Sequence, residues 1–412
     1  MLEPGDIFEA VIRSVAFGGD GVAVIDQGEV CFIPGMIPGE KVRARLESRK
    51  KNFCRAVPLE ILEPSPDRIE PRCPLAFRAY GRGRGIPDHC PGCAYQHMTY
   101  KREVELKQQQ FEELFRHTAG LEDTAFEPPV ASTREYGYRN KLVFHVHHDE
   151  GKVSLGYYMA NNHSILEIES CPLAVEALND LVKETRAKPG FFHTLHREME
   201  VTFRYTPQNG AMYWRNNPPA KMSWLKENTP IGEISVPPGC FFQINQDSGG
   251  ILVDKVTDLV KKINPGCVID LYCGAGIFGA TAAAQGVKRI IGVDVDGPAL
   301  KAAEYNLKKY GAADFQLLPG KAEKVFKNMK GQYAPTETML IVDPPRTGLE
   351  LPVLQHLTTT GIADIVYISC GADTLCRDLR RLIRAGYKVR STQMVDMFPR
   401  TPHFESVTWL SK

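Results

Sequence analysis

The 412-residue sequence has no apolar run near the roughly 20 residues that a membrane-spanning helix requires. Its first residues, Met1–Asp6, have neither the basic nor the apolar region of a secretory signal. Neither sign of charge is in excess, because 50 Lys and Arg residues are balanced by 49 Asp and Glu residues. These absences argue against a membrane protein and against a uniform polycation. We expect a cytoplasmic protein with no membrane partner.

The cysteines offer no regular disulfide framework, because their number is odd, 11, and we expect a reducing compartment. Metal binding or catalysis better explains the cysteines with meaningful spacing. Hydrophobic residues make up 43% of the chain and charged residues 24%, which is ordinary for a globular protein. The length exceeds one ordinary core, so the sequence predicts two or three domains. No obligate protein partner is indicated.

The first 60 residues alternate short β-rich runs with glycine turns such as Gly18-Gly19. The predicted strands are Ile7–Val15, Gly21–Ile25, Glu29–Ile33, Lys41–Leu46 and Cys54–Leu62. Five short strands in this span predict a small barrel of the oligonucleotide-binding type. We place the domain boundaries at 1–60, 61–236 and 237–412, the middle part being an α+β region with a helix at Tyr100–Thr118.

The last third of the chain alternates predicted strands with predicted helices. Its strands are expected at Val268–Leu271, Arg289–Val293, Met339–Val342, Ile365–Ile368 and Tyr387–Val395. Strand–helix alternation predicts an α/β domain with a doubly wound parallel sheet. Active sites of such sheets lie at the carboxyl ends of the strands.

A glycine loop follows the first of these strands in the run D-L-Y-C-G-A-G, Asp270–Gly276. Gly274 and Gly276 permit a tight turn and a close approach of the backbone to a ligand. Asp294 ends the next strand, where an acid commonly binds ribose hydroxyls. With Gly279 the loop also satisfies dinucleotide spacing, so a nicotinamide or flavin cofactor remains a rival to S-adenosylmethionine.

Two motifs at later strand ends contain side chains suited to catalysis. D-P-P-R, Asp343–Arg346, follows one strand, and S-C-G, Ser369–Gly371, follows the next. A thiol at the carboxyl edge of a parallel sheet, downstream of a nucleotide-binding loop, suggests covalent attack on a base. Cys370 is therefore the central candidate.

Four runs in one order resemble the RNA uracil-5-methyltransferase family, whose members methylate uridine in 23S ribosomal RNA or transfer RNA. They are F-F-Q-I-N (Phe241–Asn245), D-P-P-R-T-G (Asp343–Gly348), I-S-C-G-A-D-T-L-C-R-D (Ile368–Asp378) and D-M-F-P-R-T-P-H-F-E-S (Asp396–Ser406). The resemblance implies a Rossmann-like domain that binds S-adenosylmethionine, and it decides among the cofactors that the glycine loop leaves open.

By this resemblance Cys370 is the nucleophile and Glu405 the general base. The reaction needs both, because carbon 5 of uracil attacks only after a thiolate has added to carbon 6, and a base must then remove the carbon-5 proton. The resemblance further places Gln243, Tyr272 and Asp294 at the methyl donor and Asp343 near the donor or the base. The family usually has Asn-Pro after the nucleophile, whereas this chain has Gly371-Ala372, which predicts a less constrained loop.

A second group of cysteines includes C-P-G-C at Cys90–Cys93. With Cys73 and Cys171 these two thiols make four possible ligands, suited to zinc or to an iron–sulfur cluster, and spacing alone does not choose. The resemblance implies a [4Fe–4S] cluster, although a glycine- and arginine-rich insertion, Arg78–Asp88, lengthens the usual gap after Cys73.

The runs G-G-D-G-V-A (Gly18–Ala23) and F-I-P-G-M-I-P-G-E (Phe32–Glu40) resemble the TRAM domain, an RNA-binding barrel. A basic stretch with only Glu40 and Glu47 opposing it has the electrostatic character of a nucleic-acid surface. Its members are Lys41, Arg43, Arg45, Arg49, Lys50, Lys51 and Arg55. Of these, Lys41, Arg43, Lys50 and Lys51 are the candidate phosphate contacts.

The sequence thus predicts S-adenosylmethionine-dependent methylation of uridine carbon 5 in structured RNA. The resemblance favours 23S ribosomal RNA, with the T-loop of transfer RNA as the alternative. An exocyclic-amine RNA methyltransferase is an alternative function of another class, since D-P-P-x suits that chemistry. Amine methylation, however, needs no nucleophilic thiol. An inactive RNA-binding protein is a third reading.

Overall fold

The computed structural model describes residues 2–77, 89–149, 151–159, 163–329 and 331–412. The insertion Arg78–Asp88 therefore lies outside the described residues. None of the helices within these ranges has the length and apolarity needed to cross a bilayer.

An amino-terminal barrel closes from five strands in the order β1-β2-β3-β5-β4. The strands are β1 (Ile7–Val15), β2 (Asp20–Ile25), β3 (Glu29–Pro34), β4 (Lys41–Arg49) and β5 (Cys54–Glu63). Alternate residues such as Ile12, Ala23 and Val42 point inward and are buried. The five-strand barrel prediction is confirmed.

The middle of the chain has an α+β character. Helix α1 (Tyr100–Leu114) is capped by Thr99, whose Oγ1 accepts a hydrogen bond from the Arg102 N–H at 3.4 Å. A five-stranded sheet has the order β10-β9-β6-β7-β8. Its strands are β6 (Lys141–Asp149), β7 (Lys152–Tyr158), β8 (Ile165–Glu167), β9 (Glu200–Thr206) and β10 (Gly210–Arg215), with α2 (Glu176–Ala187) packed on them. The hairpin β11 (Leu225–Thr229) and β12 (Gly232–Val236) follows.

The carboxyl-terminal sheet has seven strands in the order β15-β14-β13-β16-β17-β19-β18. The strands are β13 (Cys267–Leu271), β14 (Arg289–Asp294), β15 (Asp314–Pro319), β16 (Thr338–Val342), β17 (Asp364–Ser369), β18 (Lys388–Val395) and β19 (Glu405–Ser411). The helices are α3 (Gln246–Ile263), α4 (Ile277–Ala284), α5 (Gly297–Lys309), α6 (Ala322–Val325), α7 (Leu351–Thr360) and α8 (Ala372–Arg384).

The prediction of a wholly parallel sheet is wrong at its last strand. β19 inserts between β17 and β18 and runs antiparallel to both. No helix separates β18 from β19, so the chain returns by a loop and reverses its direction. The sequence prediction also missed β15. The reversal matters for the site, because β19 begins at the edge where the parallel strands end.

The barrel packs directly against helix α1. The Gln110 side chain donates hydrogen bonds to the carbonyls of Val15 and Ala16 at 3.0 and 3.1 Å. Val15 and Ile37 of the barrel share a buried cluster with Tyr95, Met98 and Leu106. Removing residues 1–60 would therefore expose an apolar face, and tests of barrel function require point substitutions instead.

Candidate active site

Cys370 occupies the turn between β17 and α8, at the carboxyl edge of the sheet. The antiparallel register pairs Ser369 with Ser406, so Glu405 at the start of β19 lies beside the cysteine turn. Asp343 follows the neighbouring strand β16. The negative charges of Glu405 and Asp343 both act on the Cys370 thiol. The sheet thus brings the predicted nucleophile, the predicted base and Asp343 together.

The thiol and both carboxyl groups favour their protonated forms in this site. Burial, followed by the charges of Glu405 and Asp343, raises the pKa of Cys370 to about 12. Burial raises the pKa of Asp343 to about 7. Burial and the charge of Asp343 raise the pKa of Glu405 well above its usual value. The thiol is therefore neutral at rest, and attack requires that its proton be taken up as the sulfur reacts.

Arg346 opposes these shifts, and sequence reasoning assigned it no role although it belongs to D-P-P-R. Its charge lowers the pKa of both Cys370 and Glu405. The guanidinium donates a hydrogen bond to Nε2 of His403 at 3.3 Å. Burial and the charge of Arg346 lower the pKa of His403 to about 4, so the imidazole is neutral and accepts this bond. Arg346 is thus held by a neutral partner and keeps its charge available to the site.

The turn at Gly371 is more firmly held than predicted. The Thr374 hydroxyl lies 3.0 Å from the Arg346 carbonyl and 2.9 Å from the Gly371 carbonyl, and so joins the loops that follow β16 and β17. A Cβ at Gly371 would lie 2.7 Å from Thr374 Oγ1 and 3.0 Å from the Arg346 oxygen. Glycine is therefore the residue that fits this approach. The expectation of a less constrained loop is wrong.

The glycine loop has a strained entry at Tyr272. This residue has φ of 68°, a left-handed conformation rare for a bulky side chain. Its hydroxyl is buried and has no hydrogen-bond partner among the described residues. Gly276 also has a positive φ, and a Cβ there would lie 2.8 Å from Ala303 Cβ on α5. Strain and an orphaned polar atom in one loop are typical of a ligand site.

Asp294 closes the other side of this loop. Its carboxylate accepts hydrogen bonds from the Gly274 N–H and the Asp296 N–H, both at 2.8 Å. A cavity of about 330 Å³ opens beside it. The lining residues are Tyr272, Val293, Asp294, Val295, Gly320, Lys321, Ala322, Glu323, Pro345, Gly348 and Glu350. The cavity offers apolar walls and a fixed carboxylate, the combination that suits a nucleoside.

Gln243 stands apart from that lining. Its carbonyl accepts a hydrogen bond from Asn140 Nδ2 at 3.2 Å, and its Cβ faces Gly249 of α3. Helix α3 is capped by Asn245, whose side chain accepts from the Ser248 N–H. The role of Gln243 at the donor stays a prediction.

Comparison with known proteins identifies both ends of the chain. Residues 234–412 match the family model described as tRNA (Uracil-5-)-methyltransferase, and residues 2–59 match the TRAM domain. The carboxyl-terminal domain therefore matches the uracil-5-methyltransferase family, and the amino-terminal barrel matches the TRAM domain. The protein is an S-adenosylmethionine-dependent RNA (uracil-5-)-methyltransferase.

Several known proteins are similar to this methyltransferase over nearly its whole length. An RNA methyltransferase of Halalkalibacterium halodurans is 29% identical and aligns over 100% of this chain and 97% of its own length. One of Gloeobacter violaceus is 27% identical over 100% and 99%. The Pyrococcus abyssi tRNA (uracil-54, C5)-methyltransferase, solved with S-adenosyl-L-homocysteine, is 22% identical with a TM-score of 0.72, covering 98% of this chain and 100% of its own. The last likeness shows a shared fold.

The four cysteines predicted as metal ligands influence one another electrostatically in the methyltransferase. Burial, with the charges of Cys171 and Cys73, raises the pKa of Cys90 to about 11. Burial, with Cys171 and Cys90, raises that of Cys93 to about 12. Nevertheless, within the described ranges no three His, Cys, Asp or Glu side chains are grouped to hold a metal ion. The thiols lie close enough to affect one another's pKa, but the structure gives the cluster prediction no direct support.

The carboxyl groups of the methyltransferase site make its stability depend on pH. Burial raises the pKa of Asp270 to about 8, which its hydrogen bond from the Gly279 N–H only partly offsets. A carboxyl with a raised pKa binds its proton more tightly in the folded chain than in the unfolded one, where the pKa is about 4. The free energy of unfolding therefore falls as pH rises from about 4 through about 8.

Asp270→Asn should reduce that fall by on the order of 1–3 kcal/mol, because the amide does not ionise and its oxygen still accepts from Gly279. Urea unfolding between pH 5 and 9 measures the difference. Asp314→Asn, at an exposed position of β15, is the matched control and should track the wild type. Equal pH slopes for wild type and Asp270→Asn would contradict the prediction.

Proposed function

We propose that the methyltransferase modifies carbon 5 of a uridine in structured RNA through a transient bond between the Cys370 sulfur and carbon 6 of the base. The placement of the Cys370 thiol within the electrostatic reach of Glu405, Asp343 and Arg346 supports this. Amine methylation would need no thiol there. A uridine inside a helix must also leave its stack to reach this edge of the sheet.

The residues divide the chemistry as follows. The Cys370 sulfur adds to carbon 6 while the ionised form of Asp343 accepts the thiol proton, and the electron pair of the 5,6 double bond moves towards carbon 5 and oxygen 4. S-adenosylmethionine, when bound, supplies the methyl group that carbon 5 takes up. The ionised form of Glu405 then accepts the carbon-5 proton, the double bond re-forms, and the carbon–sulfur bond breaks to return the Cys370 thiolate. High carboxyl pKa values make Glu405 and Asp343 effective bases for these transfers.

The donor site is assigned to the cavity beside the glycine loop. Asp294 would hold ribose hydroxyls, since each of its oxygens retains acceptor capacity beyond its one backbone bond. Tyr272, Gly274 and Gly276 would shape the loop around the nucleoside, and Gln243 and Asp343 would lie towards the transferred methyl. The orphaned Tyr272 hydroxyl and the apolar walls fit such an occupant.

We propose 23S ribosomal RNA as the substrate, on the resemblance of the whole three-part chain to enzymes of that class. Transfer RNA is the second candidate, because the Pyrococcus abyssi enzyme of the same fold is named for uracil 54 of tRNA. Incubating the purified protein with the donor and either transcript, followed by mass-spectrometric mapping of 5-methyluridine, decides between them. Absence of 5-methyluridine from both transcripts would contradict the proposal.

The barrel would bind the RNA backbone. Lys41 and Arg43 are less suited than the sequence suggested, because both form ion pairs with Glu9 at 3.0 Å. Lys50 and Lys51 are exposed beyond β4, and no ion pair involves them among the described residues. Nearby, the rings of Phe32 and Phe53 meet edge to face at 5.5 Å with the Arg55 guanidinium over both. Such aromatic and basic surfaces suit single-stranded RNA.

The double variant Lys50→Ala/Lys51→Ala should bind RNA more weakly and lower the slope of log affinity against log salt by roughly 1 to 2, since two phosphate contacts are lost. Filter binding over a salt series measures this. Lys301→Ala/Lys308→Ala, on the exposed side of α5, changes net charge equally and should keep the wild-type slope. Equal slopes for the two double variants would exclude the phosphate contacts.

We further propose that Cys73, Cys90, Cys93 and Cys171 hold a [4Fe–4S] cluster. Four thiols are the ligand set of such a cluster. The nearby Arg139 acts electrostatically on Cys90 and Cys93, and its buried Nε has no hydrogen-bond partner among the described residues, as suits an anionic neighbour. The methyl transfer itself moves no net electrons, so the cluster would have a structural role. Bound there, it would cross-link the segment before α1 to the central sheet.

Anaerobic purification should therefore yield a coloured protein with about four iron and four sulfide per chain, and Cys90→Ser should lose both. Absorption spectra and metal analysis measure this independently of activity. A colourless protein with one zinc per chain would overturn the cluster assignment and leave the methyl transfer chemistry untouched.

A further inference from the structure

The loop that carries Glu405 into the site contains an unusual arginine. Arg400 lies between β18 and β19 with φ of 70°, a left-handed backbone conformation that is disfavoured outside glycine. Its side chain is only 2% exposed. A long charged residue is retained here in a conformation and an environment that both disfavour it. Its contacts must therefore supply the reason.

The backbone of Arg400 is fixed from both sides by one partner segment. Its N–H donates to Glu103 Oε1 at 2.6 Å. Its carbonyl accepts hydrogen bonds from the N–H groups of Ala94 and Tyr95 at 3.0 and 3.1 Å. The partner segment, residues 94–107, comprises the start of α1 and the residues before it.

The guanidinium holds the same position from the side-chain end. It donates to the Met98 carbonyl at 2.8 Å and forms an ion pair with Glu135. The rings of Tyr100 and Tyr136 face it at 5.4 and 5.1 Å. A planar, five-donor group satisfies these partners simultaneously, which a lysine does not.

The beginning of the loop is held by the same segment. Lys107 Nζ donates to Asp396 Oδ1 at 2.8 Å and to the Phe398 carbonyl at 3.3 Å. The Tyr100 hydroxyl donates to Asp396 Oδ2 at 2.8 Å. Lys107 and Asp396 are fully buried, so solvent does not screen their attraction. The loop is anchored at three points ahead of Glu405.

Glu405 itself has little to orient it. Its side chain is 4% exposed, and its Oε2 has no hydrogen-bond partner among the described residues. The aim of this carboxyl group therefore depends on where the backbone of the loop and β19 places it. A base misplaced by about 1 Å can cost about 10²-fold in rate.

We propose that Arg400 is a positioning residue for Glu405, acting through the backbone of the loop rather than by touching the substrate. This rests on the proposed function, in which Glu405 removes the carbon-5 proton. Disturbing Arg400 should then slow the last step selectively. The methylated RNA would remain bonded to Cys370 because the bond breaks only when that proton leaves.

Arg400→Gly tests this, because glycine tolerates the left-handed backbone and only the side chain is lost. We expect kcat to fall by about 10²-fold, the KM for RNA to change less than about threefold, and a denaturation-resistant RNA adduct to accumulate on ordinary uridine RNA. Arg400→Lys should show a smaller change of the same kind. Binding of S-adenosylhomocysteine should match the wild type and shows that the variant is folded.

Arg204→Met is the matched control for losing a buried arginine, since Arg204 pairs with Glu227 away from the loop. It should lower stability without adduct accumulation. Glu135→Gln, which weakens the Arg400 anchor at a half-buried position, replaces Arg400→Gly if that variant does not fold, and should also accumulate adduct.

Two outcomes overturn the inference, and they are distinguishable. If Glu405→Gln accumulates adduct while neither Arg400→Gly nor Glu135→Gln does, the positioning role is wrong and the proposed function stands. If Glu405→Gln accumulates none either, Glu405 is not the base, and the inference falls with the proposed function.

Discussion

Replacing Cys370 with alanine should lower methyl transfer to RNA by at least about four orders of magnitude, because the attack that activates carbon 5 has no substitute. Incorporation of labelled methyl groups into the preferred transcript measures the rate. Donor affinity should be nearly unchanged, since Cys370 does not line the cavity beside the glycine loop. Cys370→Ser should be equally inactive, because a serine hydroxyl is far less acidic than a thiol.

The same variant should lose the covalent adduct. With 5-fluorouridine in the transcript, wild-type protein should form a denaturation-resistant complex, because the fluorine on carbon 5 does not leave as a cation and the carbon–sulfur bond persists. Cys376→Ala, a buried thiol on α8, is the matched control and should retain adduct formation. Methylation by Cys370→Ala within tenfold of wild type would favour the amine-methylating rival. Absence of donor binding by the wild type would favour an inactive RNA-binding protein.

Glu405→Gln should give the second largest effect, a fall in turnover of about 10²- to 10⁴-fold. The amide fills the same buried space but does not accept the carbon-5 proton. Carbon–sulfur bond formation and methyl transfer should proceed, so the methylated adduct should accumulate on ordinary uridine RNA, where wild type shows little. Denaturing gels with labelled RNA measure the adduct, and mass spectrometry of the trapped nucleotide shows whether the methyl group is present.

Glu227→Gln is the matched control for this variant, because burial also raises the pKa of Glu227, to about 7, in the hairpin β11–β12. It should turn over normally within about threefold apart from any loss of folded protein. A Glu405→Gln enzyme that releases product at the wild-type rate would assign proton removal to another group. Asp343, whose charge acts on both Cys370 and Glu405, would then be the first to test.

The barrel and most of the parallel strands could be predicted because their signals are local. Alternating apolar residues and glycine turns define β1 to β5, and apolar runs followed by a polar residue define β13, β14, β16 and β17. Strand ends of a parallel sheet share one edge, so the placement of Cys370, Asp343 and Asp294 at that edge also followed from pattern. β15 was missed because its side chains are only partly buried and its run is weakly apolar.

Other parts of the site had no local signal. Glu405 was found only by resemblance, because a glutamate opening a strand gives no sign that the strand will run antiparallel beside Cys370. The close approach at Gly371 depends in part on the Arg346 carbonyl, which lies on another loop and is distant in sequence. The sequence likewise suggested Lys41 and Arg43 as RNA contacts, whereas strand pairing places Glu9 against both.

By itself, the sequence determined most of the strands, the loop that we predict to receive a nucleoside and the residue types available for catalysis, because those properties depend on neighbours a few positions away. The tertiary structure alone decided that Glu405 lies beside the turn of the thiol, that the charge of Arg346 lowers the pKa of both groups, and that Arg400 is buried rather than exposed. A charged side chain stays in water unless polar partners from elsewhere in the chain replace that water. Only folding brings those partners together.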